Sequence, residues 1–80
     1  MARYYFNLHE CGRITRDDEG SDLPTLDAAR DRAVREARAI MCAEVLEGRL
    51  CLGCSIEILD DRGRLAASVP FTEVLALSGV

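Results

Sequence analysis

Hydrophobic and polar residues alternate at the start of the chain. Tyr4, Phe6 and Leu8 take every second place, and Tyr5, Asn7 and His9 fall between them. A period of two with three successive aromatic residues predicts a strand over residues 3–9. Glu10-Cys11-Gly12 predicts a tight turn, with Gly12 free to adopt positive φ. Arg13-Ile14-Thr15-Arg16 predicts a short return strand whose one large apolar residue, set between arginines, suits a sheet edge. Asp17 to Asp22 is a polar run that predicts a solvated loop.

The period then changes. Leu26, Ala29, Ala33, Ala37 and Ile40 recur at helical spacing, with Val34, Met41 and Val45 on the flank. Pro24 disfavours helix at Leu23. Thr25 suits an N-cap, and Asp27 suits the positive end of the helix dipole. Gly48, just past Glu47, suits the stop. Asp31 and Arg35 stand four apart in the order that favours an ion pair. The inward alanines predict a helix lying close against a flat partner, and a sheet is the natural one. Arg30 and Glu44 break the edges of the stripe and are expected to snorkel past the sheet rim.

Residues 49–54 form a connector. Ser55 to Leu59 predicts a strand with Ile56 and Ile58 on one face, and Asp60 to Gly63 a hairpin turn. The return from Arg64 places Leu65, Ala67 and Val69 inward. Pro70 cannot donate to a ladder, so it marks a strand end or an edge. Phe71, Val74, Leu75 and Leu77 are spaced as a short helical turn. The sum is a single α+β domain over residues 1–80: a ββαββ two-layer arrangement, with two antiparallel hairpins and one covering amphipathic helix.

Composition limits what such a domain can hold. Leu, Ile, Val and Phe together number twenty-one of 80 residues, and Trp is absent. That is a thin core, in a chain size that buries only about 60% of its unfolded surface. A deep enclosed active site is not expected. The net charge of −4 lacks the footprint of a nucleic-acid binder. Arg30, Arg32, Arg35 and Arg38 alternate with Asp27, Asp31 and Glu36, which reads as a solvated helix face. No segment reaches the roughly 18 apolar residues of a membrane span. The start carries no secretory leader pattern, so the expected compartment is the cytoplasm and the expected state of the four cysteines is reduced.

Several stretches together resemble a family of small bacterial, proteobacterial proteins classed only as a domain of unknown function. They are Arg3-Tyr4-Tyr5-Phe6-Asn7-Leu8, Asp18-Glu19-Gly20, Leu23-Pro24-Thr25-Leu26 with Ala28-Ala29, and Val69-Pro70-Phe71. That resemblance implies a free-standing domain with no assigned activity, and it leaves the cysteines outside the family pattern. A looser similarity of shape links the chain to HicB-type antitoxins, without their separate DNA-binding segment.

Candidate chemistry centres on Cys51-x-x-Cys54. One such pair is half a zinc site, and a structural site needs four ligands. Cys11 and His9 are the residues that could complete it. The redox reading of the pair lacks a helix N-terminus to lower a thiol pKa. Cys42 and Cys51 read as small, partly buried hydrophobes. His9 beside Cys11 raises a Cys–His dyad, with nothing to supply a substrate pocket. The acidic run has the wrong register for a calcium loop: Gly20 is fourth from Asp17, and no Glu stands at residue 28. Phosphate-loop, GxSxG and HExxH patterns are absent. Tyr4, Tyr5 and Phe6 lack the basic surround of an RNA-stacking sheet.

The sequence thus predicts a non-enzymatic, protein-interacting or self-associating domain that pairs with a second copy through its open sheet face or an edge strand. No cofactor and no metal is favoured, and no nucleic-acid or membrane partner is expected. The alternatives are a zinc-stabilised module using Cys51 and Cys54, and an antitoxin-like regulator.

Overall fold

The aromatic start of the chain becomes the middle of the sheet. In a computed structural model describing residues 1–76 and 78–79, strand β1 (Ala2–Glu10) turns at Cys11–Gly12 into β2 (Arg13–Thr15). Then follow β3 (Ser21–Leu23), helix α1 (Leu26–Leu46), β4 (Ser55–Leu59), β5 (Leu65–Pro70) and a 3-10 turn, Phe71–Glu73. The sheet runs β2-β1-β4-β5, all antiparallel, and β3 also pairs with β1. The α+β class and the single covering helix are as the patterning predicts. The strand count is not, because β3 lies in the predicted loop.

That loop has a structural task. β2 and β3 share one edge of β1 end to end, Glu10 opposite Arg13 and Tyr4 opposite Ser21. Between them the Phe6 amide has no strand partner. The Asp17 carboxylate takes its place: Oδ2 accepts from Phe6 N–H at 3.1 Å, and Oδ1 accepts from Glu19 and Gly20 N–H at 3.2 and 3.0 Å. Asp17 N–H donates to Asn7 Oδ1 at 2.9 Å. Asn7, which alternates with the apolar positions of β1, is buried along with this bond.

Burial works to raise the Asp17 pKa. The amides of Gly20, Phe6 and Glu19 and the charge of Arg32 outweigh it and hold the carboxyl below its ordinary 3.8. A depressed carboxyl stabilises the fold above the unfolded pKa, and that contribution is lost as pH falls through the folded one. Asp17→Asn is expected to cost about 1.5–3 kcal/mol at neutral pH, the range for bonds to a charged acceptor. In urea unfolding, its deficit against the parent should shrink as pH drops below 3.8. A pH-independent deficit would show that Asp17 acts by shape alone.

The helix begins and ends on its own local signals. Thr25 Oγ1 accepts from Ala28 N–H at 3.1 Å. At the other end Gly48 takes φ +83. Its N–H donates to Val45 O and that of Arg49 to Glu44 O, the paired bonds of a Schellman stop. Ala29, Ala33 and Ala37 have no exposed surface and let the helix lie against Ile56, Ile58, Val69 and Phe6 in one core. The ion pair on its outer face joins Arg32 to Glu36, at 3.2 Å.

The flanking Val45 lies outside the core, and one inward assignment is corrected. Val45 is 58% exposed. Seven residues at about 100° each return a side chain to within about 20° of its starting direction, so Glu44 and not Val45 follows Ala37 on the inward stripe. Leu65 is also 58% exposed. A bulge after Ile58 pairs Ile58 with Ala67 but Leu59 with Leu65, and the extra residue moves Leu65 to the opposite face. The chain then closes over the core. Phe71, fully buried, donates its N–H to Cys54 O at 3.0 Å, and Arg38 Nε donates to Val74 O at 2.9 Å. Leu77 lies outside the described residues. Among the described residues no helix is long and apolar enough to cross a membrane.

Candidate metal centre

Strand register brings three thiols together. β1 pairs with β4 so that His9 faces Ser55. Continued past the strand ends, that register sets Cys11 beside Gly53, between Cys51 and Cys54. Side-chain positions agree: a Cβ built on Gly53 would lie 3.5 Å from Cys11 Sγ and 3.9 Å from Cys51 Sγ. The sulfurs of Cys11, Cys51 and Cys54 all lie within 4.8 Å of one another, with Cys11 and Cys51 2.7 Å apart. Cys11 is exposed, Cys51 half-buried and Cys54 buried.

The three are electrostatically unequal. S–H donation from Cys11, and then from Cys54, lowers the Cys51 pKa, so Cys51 is the thiol that ionises first. The bond to Cys51 raises Cys11. Burial, and then the bond to Cys51, pushes Cys54 up to about 12. The negative charge left by the first proton is thus stabilised by S–H donation from the other two sulfurs, and a bound cation would favour loss of their protons as well.

The donor set fits a thiophilic ion. Sulfurs tetrahedrally placed at about 2.3 Å from zinc are about 3.8 Å apart; the three lie within 4.8 Å of one another, and Cys11 and Cys51, 2.7 Å apart, would part by about 1 Å to share an ion. They border a recess of about 170 Å³, lined also by Glu10, Glu44 and Arg49. Cys11, Cys51 and Cys54 would hold the metal, whose part is to fix the β1–β2 turn to the connector.

The other nominated ligand is elsewhere. His9 sits on the sheet face turned away from the helix, where Nε2 meets the Glu57 carboxylate. It belongs neither to the thiol cluster nor to a Cys–His dyad. Cys42 is exposed on the helix, beside Met41, Val45 and Leu46. Glu44, expected to snorkel past the sheet rim, instead turns its carboxylate into the recess beside the three thiols. Its Oε1 is buried without a hydrogen-bond partner, and its place on the inward stripe was the signal that could have found it.

No curated protein and no solved structure matches the chain. The family profile described as "Domain of unknown function (DUF6894)" matches residues 3–72, which takes in the helix and, but for Ala2, the five strands described. This chain therefore belongs to the DUF6894 family, a domain of unknown function.

Proposed function

We propose that this domain is a non-catalytic interaction module organised by one zinc ion on Cys11, Cys51 and Cys54. The observation that carries the reading is the convergence of three thiols from segments 40 residues apart in the chain. Thiolates favour zinc among common divalent ions. A bound ion closes a long loop, and anything that binds only the folded chain stabilises it, by about 2.7 kcal/mol at a hundredfold excess over Kd.

The same connector carries the surface that supports an interaction role. Leu50 and Leu52, on either side of Cys51, are each 41% exposed. With Met41, Val45, Leu46 and Leu75 they border an apolar groove continuous through Leu75. Arg38 is the one charged residue in that lining. A second copy of the chain is the partner that matches it. It offers the same predominantly apolar patch, and twofold pairing covers Leu46, which is 84% exposed, on both copies at once.

Native mass spectrometry of protein purified reduced and without chelator tests both parts. The expected species is a dimer with one zinc per chain. Cys51→Ser is expected to lose the metal, and EDTA to lower the melting temperature of the parent but not of the variant. A metal-free protein with all thiols free would overturn the zinc reading. So would a mass lighter by two hydrogens, which would make Cys11 and Cys51 a redox couple. A monomer at high micromolar concentration would overturn the pairing.

A further inference from the structure

We infer that Glu44 supplies the fourth ligand, making the centre a three-thiolate, one-carboxylate site. The inference rests on the three-cysteine reading and adds a residue that no cysteine pattern contains. Three thiolates leave one tetrahedral position on zinc open. The recess beside them is lined by two carboxylates, Glu10 and Glu44, and by Arg49. They differ in one respect. Among the described residues, Glu44 Oε1 is the buried side-chain oxygen or nitrogen that has no hydrogen-bond partner. A buried acceptor left without a donor keeps its full desolvation cost, more so if charged, and a cation held by the neighbouring thiolates removes that cost.

The fold explains how the acid reaches the recess. Glu44 follows Ala37 by seven residues, on the stripe that faces the sheet, one turn before the helix stop at Gly48. Its backbone is fixed there, since Glu44 O accepts from both Glu47 and Arg49 N–H at 3.0 Å. Three side-chain torsions remain to swing the carboxylate onto the ion. Ligation by Glu44 would tie the helix end, the β1–β2 turn and the connector to one point. Four anionic ligands on a dication leave a net charge of −2, and Arg49 on the same lining offsets part of it.

Cobalt(II) is the probe, added to the reduced full chain and to Glu44→Ala and Glu44→His. Thiolate-to-cobalt charge transfer in the near ultraviolet reports the cysteines. The visible ligand-field bands report the fourth position. All three proteins are expected to show the charge-transfer band. Glu44→Ala should shift the ligand-field bands and weaken binding by at least the roughly tenfold that even an outer partner is worth. Glu44→His should recover affinity with bands moved again by a nitrogen donor. Without metal, Glu44→Ala should be no less stable than the parent, because it removes an unpaired buried acceptor; a structural role for Glu44 would make it less stable. Charge transfer with bands and affinity unchanged in Glu44→Ala would overturn the fourth ligand while leaving the three-thiolate site standing. Absence of charge transfer in the parent would overturn both.

Discussion

Phe71→Ala is expected to destabilise the domain by about 3–5 kcal/mol, the usual cost of emptying a buried aromatic site. Small domains have total stabilities of about 5–15 kcal/mol, so the variant should be largely unfolded within a modest temperature rise. Phe71 follows the last strand and looks peripheral in the chain. It is nevertheless one of the three largest side chains that are fully buried, with Ile56 and Ile58. Its amide also closes onto Cys54 O, so the turn that seals the core holds the start of β4. Chemical denaturation followed by circular dichroism measures the loss. A deficit under about 1 kcal/mol, the level of an ordinary surface or near-surface change, would mean that residues after Pro70 merely lie on a core complete without them.

Gly20→Ala is expected to cost about 3 kcal/mol, and Gly12→Ala only about 1. Both glycines have positive φ, +72 and +76, where an L side chain costs about 1–2 kcal/mol. Their surroundings differ. A Cβ at Gly12 meets nothing within 4 Å. At Gly20 it falls 2.9 Å from Tyr5 Cε2, 3.0 Å from Tyr4 O and 3.1 Å from Arg3 Cγ. The Tyr5 ring and the Arg3 side chain can give way. Tyr4 O belongs to the central strand and cannot. Relief by moving the loop would also pull Asp17 from the Phe6 amide. Comparing the two variants by denaturation cancels the conformational cost and leaves the contact. Equal losses would show that the loop shifts freely over β1.

The helix was legible because its signals are local. Thr25, the alanine stripe and Gly48 act within a few residues of where they stand, and each appears in the structure as its chemistry requires. The alternation of β1 and β4 was legible for the same reason. Two of the misassignments share one cause, pairing with a partner strand. Leu65 was placed by counting alternate residues, and a bulge set by the partner strand reversed the count. Ser21 to Leu23 has too little apolar character to announce a strand, and it became one because β1 offered an unpaired edge. Glu44 was discounted as a charged residue that reaches solvent, although its angular position already placed it inward.

The candidate centre divides along the same line. Residue type and spacing nominated Cys51 and Cys54, and added Cys11 and His9 as equals. Tertiary structure separated those two. β1 lies beside β4, which carries the tip of the first hairpin to the connector and leaves His9 facing Glu57. Sequence alone determined the α+β class, the helix with both its ends, and the strands that alternate. Only the tertiary structure decided which strands neighbour one another, where the bulge falls and which thiols meet. Helix periodicity and capping arise from residues a turn apart, whereas strand neighbours and register are settled by pairing and burial between segments tens of residues apart.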